Sequence, residues 1–250
     1  MSGKMILEAC VDSVESAIAA QSGGADRLEL CSDLIIGGTT PSLELYREVR
    51  KHVTIPIHIL IRPRFGDFLY SDYEFNIMCH NVEAFQRAGA EGIVIGMLNP
   101  EGKLDLEKMK ELIKNAAGMS VTLHRAFDMS FNLMESLQSA IELGITTILT
   151  SGGEESASQG LETLRELQMQ ASGRIQIMAG AGVNADTILK LHKLTGIFTF
   201  HMSGKKVLDS KMIYRNERIN MGLPGISEYK IWQTSEAEIR SARNIIDQLQ

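Results

Sequence analysis

Short apolar runs alternate along the chain with longer amphipathic stretches, a rhythm that predicts repeated βα units and a parallel sheet. The first run, Ile6 to Val11, stops at Asp12, read as the cap of a helix with Val14, Ala17 and Ile18 on one face. Glu15 would complete a capping box, and Gly23 and Gly24 would end the helix. The second run is Leu28 to Cys31. Thr40 then reads as a cap and Pro41 as the opening of a helix that turns Leu43, Tyr46, Val49 and Val53 inward, until Pro56 restores extended chain. Further strands are predicted at Ile57 to Ile61, Gly92 to Ile95, Val121 to His124, Thr147 to Thr150, Ile175 to Ala179 and Phe198 to Met202, making eight.

A recurring glycine supports that count. Gly24, Gly89, Gly144 and Gly196 each stand just before an even-numbered strand, as expected if one short αβ connection recurs around a closed (β/α)8 TIM barrel. An open doubly wound sheet is the alternative, but the first βα junction, Glu8 to Asp12, lacks the glycine-rich dinucleotide fingerprint, so no nucleotide cofactor is expected. One α/β domain spans residues 1–250. An aperiodic segment at about 205–233 follows strand eight as a C-terminal extension, fit for a lid or an interface arm, and a terminal helix at about 236–249 closes the chain.

Composition narrows the class. At 250 residues with 44% hydrophobic and 22% charged positions the chain can bury a large core, and a net charge of −6 lacks the basic excess of a nucleic-acid binder. No run approaches membrane-span length, and the stretch from Met1 to Leu7 carries no apolar leader. With three cysteines, Cys10, Cys31 and Cys79, an odd count, the expectation is a cytoplasmic protein with reduced thiols and no membrane partner.

Strand parity then points to chemistry. Glu8 and Cys10 share one face of strand one, Glu29 and Cys31 one face of strand two, and His58 and Arg62 one face of strand three, while Ala9, Leu30, Ile59 and Ile61 suit packing against helices. His124 and His201 take similar places, so these side chains are expected to converge on the carboxyl-end mouth where TIM barrels carry their sites. Glu8, Glu29, Arg62, His124, Arg125 and Asp128 are the candidate catalytic residues: Arg offers a fork for carboxylate or phosphate, and His124 or Asp128 a general acid or base. The plainer alternatives are a self-satisfied buried charge network for Glu8, Glu29 and Arg62, and a local salt bridge for Arg125 with Asp128. Gly180 and Gly182 after strand seven, with Ser203 and Gly204 after strand eight, form a candidate anion site for a small anionic metabolite, although tight turns alone would explain the glycines. Asn184 is a plausible cap for the helix that follows. Cys10 and Cys31 end adjacent strands, and neighbouring strands lie about 4.8 Å apart, so two thiolates could meet around one soft ion such as Cu(I). Otherwise they are two small buried apolar residues, as Cys79 is expected to be.

Several blocks in this order resemble the CutC family, named for copper homeostasis. They are Glu8-Ala-Cys-Val-Asp-Ser-Val-Glu-Ser16, Gly23-Gly-Ala-Asp-Arg-Leu-Glu-Leu-Cys-Ser32, Gly37-Gly-Thr-Thr-Pro-Ser42, Ile61-Arg-Pro-Arg64 with Gly66-Asp-Phe68, His124-Arg-Ala-Phe-Asp128, and Leu149-Thr-Ser-Gly152. The likeness runs from about Met5 to Tyr229. It implies a TIM barrel, a cytoplasmic homo-oligomer, and a copper-ion partner with Cys10 and Cys31 as ligands. One departure is Gly180-Ala181-Gly182, where the family favours three glycines and the added methyl restricts close approach of an anion.

Overall fold

Period-two alternation divides every strand between two destinations, and that division builds the molecule. In a computed structural model describing residues 4–222 and 225–249, eight parallel strands close into one barrel: β1 (Ile6–Val11), β2 (Arg27–Leu30), β3 (Ile57–Leu60), β4 (Gly92–Ile95), β5 (Ser120–Leu123), β6 (Thr147–Thr150), β7 (Gln176–Ala179) and β8 (Thr199–Met202), with β8 pairing back onto β1. Positions of one parity, such as Leu7, Ala9, Leu28, Leu30, Ile57, Ile59, Ile93 and Phe200, are buried in the main core. That core includes apolar residues of helices α1 (Val14–Gly23), α2 (Leu43–His52), α3 (Asp72–Ala88), α4 (Leu106–Asn115), α5 (Leu133–Glu142), α6 (Leu161–Ala171), α7 (Ala185–Thr195) and α8 (Glu236–Asp247). The opposite parity fills the barrel, and there the side chains are largely polar.

The (β/α)8 expectation is met, and the four recurring glycines are its hinges. Gly24, Gly89, Gly144 and Gly196 all adopt left-handed φ between 75° and 96°, a conformation open to glycine at little cost. Strand limits differ from the sequence reading by a residue or so. Two caps differ as well: Ser13, not Asp12, receives the Ser16 amide at the start of α1, and Ser42, not Thr40, receives that of Leu45 at the start of α2. Thr40 is used elsewhere, its hydroxyl accepting the Arg62 amide and so tying the second loop to the end of β3. Asn184 does cap α7, with Thr187 completing the box, and Cys79 lies buried on α3.

The segment taken as irregular from 205 to 233 contains an antiparallel hairpin, β9 (Lys205–Asp209) with β10 (Lys230–Thr234), in which Val207 faces Trp232. Its two strands are charged and far apart in sequence, so neither carries a hairpin signal. The Thr234 amide donates to Ser16 Oγ and the Ser235 amide to the Gly204 carbonyl, which fastens the hairpin base to the barrel. Residues 1–3 of the leader reading and residues 223 and 224 of the extension lie outside the described residues. Among the described residues, no helix is long and apolar enough to cross a membrane.

Candidate functional site

The inward side chains of β8, β1 and β2 form a buried ionic chain. Register sets Glu8 opposite both Arg27 and His201, and Cys10 opposite Glu29. Arg27 Nε lies 2.5 Å from one Glu8 oxygen, and His201 Nδ1 lies 2.7 Å from the other. The second nitrogen of His201 faces Glu29 at 3.7 Å. Cys10 Sγ, a Glu29 oxygen and a ring nitrogen of His201 lie within 4.8 Å of one another. Cys31 is fully buried beside Leu60 and Val94, and its thiol contacts the same Glu29 carboxylate at 3.5 Å.

Burial alone would raise Glu8, but Arg27 and then His201 hold it well below the ordinary carboxylate range. Glu29 moves the other way: burial pushes it up, with the Glu8 charge adding to the effect. For His201 burial works downward, yet Cys10, Glu8 and Glu29 together carry it well above the usual imidazole value. Burial and the neighbouring Glu29 push the Cys31 thiol up. The chain therefore rests as an anionic Glu8 between two cations, with the Cys31 proton hard to remove.

On β3 to β5 the imidazoles are neutral. His58 packs on Gly92 of β4, and His124 on Gly96 just beyond it; a Cβ at either glycine would fall 2.5 Å from the ring. Burial, then Arg27, pulls His58 down to about 4, and burial, then Arg62, pulls His124 down to about 3. The Ala126 amide donates to His124 Nδ1 at 3.1 Å, so the ring proton resides on Nε2. Among the described residues, neither that Nε2 nor His58 Nδ1 has a hydrogen-bond partner. Arg62 does not present a free fork: Nη1 donates to the Gly38 carbonyl and Nη2 to that of Gly66, while its guanidinium lies over Phe68.

Asp128 is a bracket between loops. Its carboxylate accepts from Thr150 Oγ1, from the Ser151 amide and hydroxyl, from the Gly153 amide and from Arg125 Nε, which leaves little capacity to take a substrate proton. Arg125 also reaches Ser151 Oγ.

A cavity of about 830 Å³ opens at this mouth. Its lining includes Cys10, Glu29, Arg62, His124, Arg125 and His201, and Trp232 from the hairpin forms part of its wall. Lys205 stands 3.8 Å over the Trp232 ring. Of the candidate anion residues, Gly182 and Ser203 line the cavity. Gly180 is packed so closely on Leu149 that a Cβ would meet it at 2.4 Å, and the Gly204 carbonyl is occupied by Ser235. Parity brings Glu8, Cys10, Glu29, Arg62 and His124 together as expected, while Arg125 and Asp128 join from the rim. Sequence reasoning missed the role of Arg27, although it shares a face with Glu29 and Cys31, and missed the position of His201 as the link of the chain.

The profile of the CutC family matches residues 5–206. A "family protein CutC" of Bacteroides thetaiotaomicron is 44% identical over 249 residues, covering 99% of this chain and 98% of that relative. The human "Copper homeostasis protein cutC homolog" is 41% identical over 246 residues, covering 96% and 90%. The crystal structure of the putative copper homeostasis protein CutC from Streptococcus agalactiae superposes with a TM-score of 0.76 at 28% identity, over 80% of this chain and 98% of that one.

Proposed function

The chain belongs to the CutC family, and from that premise we propose that it takes up Cu(I) at the barrel mouth, with Cys10 and His201 as leading donors and Cys31 as the second thiolate. The observation that carries this reading is the gathering of Cys10, Glu29 and His201 donor atoms within 4.8 Å at the cavity floor. Thiolate and imidazole are soft enough to favour Cu(I) over harder ions. Glu8 strengthens the fit: metal-binding histidines usually hand their other N–H to a carboxylate, and Glu8 holds His201 Nδ1 in that way, leaving Nε2 toward Cys10 and Glu29. His58, though opposite Glu29 in register, stands outside this donor group, and so does Cys31, the other thiol expected from the sequence, whose Sγ meets the group only through Glu29 at 3.5 Å.

Copper, as cargo, would replace protons. His201 would lose its Nε2 proton and Cys31, already pushed up by burial, would give up its own only to the ion, so affinity should fall as pH drops. The same reading puts the protein in the cytoplasm, where its three unpaired cysteines would stay reduced. It also treats the protein as a homo-oligomer, consistent with the exposed Ile213, Tyr214 and Met221 after the hairpin's first strand.

The test is an anaerobic Cu(I) competition titration against a chromophoric chelator, on the wild type and on Cys10→Ser, Cys31→Ser and His201→Gln. About one ion per chain, weakened most by Cys10→Ser, is the expected result. Unchanged affinity in Cys10→Ser and in Cys31→Ser overturns the reading.

A further inference from the structure

Arg62 is 8% exposed and has no carboxylate within salt-bridge distance among the described residues. Its Nη groups are used on backbone carbonyls, and its Nε meets no geometric hydrogen-bond partner among the described residues. His124, 5% exposed, keeps its proton on Nε2, which also lacks a partner. Both residues pack on Phe68, with Arg62 Cζ 5.2 Å from that ring centre and the His124 ring 5.0 Å from it, and both line the cavity. Of the other lysines and arginines that line the mouth, Arg125 is paired with Asp128 and Lys230 with Asp209, while Lys205 lies over the Trp232 ring.

A buried cation without a counter-ion and a buried N–H without an acceptor are each unfavourable, and one oxyanion would satisfy both. The imidazole donates a hydrogen bond but adds no charge, so the charge to be matched is that of Arg62. We propose that the β3 to β5 side of the mouth binds a small oxyanion, a carboxylate or a phosphate, between Arg62 and His124, without need of a metal at Cys10. His124 thereby acts as a neutral hydrogen-bond donor and not as an acid or base.

Trp232, the one tryptophan in the chain, lines the same cavity and reports on it. The experiment titrates the metal-free protein separately with acetate, malonate and inorganic phosphate, following Trp232 fluorescence. A saturable change with at least one of them is expected, and which anion produces it tells carboxylate from phosphate. His124→Asn keeps an oxygen near the Nδ1 position to accept the Ala126 amide but removes the Nε2 donor, so affinity should fall about tenfold or more, the loss of one hydrogen bond to a charged group. Cys10→Ser should leave it unchanged, which separates this site from the copper reading. Should His124→Asn fail to fold, the ¹⁵N signal of His124 Nε2 in the wild type, which an anion must shift, decides instead. No saturable response to any of the three anions, equal affinity in a folded His124→Asn, or a static Nε2 signal overturns the proposal.

Discussion

The two sides of the barrel interior bury polarity by opposite means. On β8, β1 and β2, opposite charges are held against each other, with Glu8 between Arg27 and His201. On β3 to β5 the titratable rings are stripped of charge, and Gly92 on β4 and Gly96 just beyond it give them room. Ion pairing keeps donor atoms polar and anchored, which suits an ion that must displace protons. Neutral imidazoles beside an unpaired Arg62 leave donors open, which suits an anion. One cavity thus carries two electrostatic characters across its width.

The largest effect that could break this contrast is Glu8→Gln. With the carboxylate gone, Arg27 and His201 remain buried as unpaired cations, and breaking a buried pair in this way costs about 3–5 kcal/mol. Urea unfolding at neutral pH measures it; a loss below about 1 kcal/mol would mean that the chain of charges does not act as drawn.

Acid separates the two sides next. His58 at about 4 and His124 at about 3 lie below the unfolded value of about 6.5, so the unfolded chain binds more protons in that interval and stability falls as pH drops from about 6.5. Down to pH 4.5, two units below the unfolded value, the cost is about 3 kcal/mol per histidine at about 1.4 kcal/mol per pKa unit. Glu8, with its folded value depressed, contributes stability that is lost only below the ordinary carboxylate range, and His201, with its value raised, loses its contribution only as pH rises above about 6.5. Unfolding curves at pH 7, 5.5 and 4.5 should therefore show the imidazole side failing first. A flat profile across those three values would contradict the neutral assignment of His58 and His124.

The smallest predicted change is local. Gly96→Ala drives a methyl into the His124 ring, and overpacking of this kind costs about 1–3 kcal/mol. Chemical denaturation reads the loss, and the Trp232 anion titration should weaken with it because His124 is displaced. Full stability and unaltered anion response together would show that β4 has more room than its glycines suggest.

Much of the barrel was legible because its signals are local. Eight apolar runs, glycines at the turns into even strands, and a switch from strand to helix periodicity each depend on a few neighbouring residues, and all eight strands formed within a residue or so of their predicted limits. Parity also placed Glu8, Cys10, Glu29, His58 and His124 inside the barrel, since side-chain direction along a strand follows from counting by two. The hairpin of β9 and β10 escaped because its strands pair across a long insertion and show no alternation of their own. Arg62 illustrates the same limit in the site: its type and position suggested a free anion fork, but the folds of the second and third loops direct Gly38 and Gly66 carbonyls onto it.

By itself, then, the sequence determined the barrel, the family and the set of polar residues pointing inward, because periodicity and short motifs are properties of contiguous chain. Only the tertiary structure decided which of those residues meet. Closure of β8 onto β1 brings His201 to Glu8 across almost the full length of the chain, and the shared low-dielectric interior then sets which groups stay charged, which lose their charge and which donors are left open for a ligand.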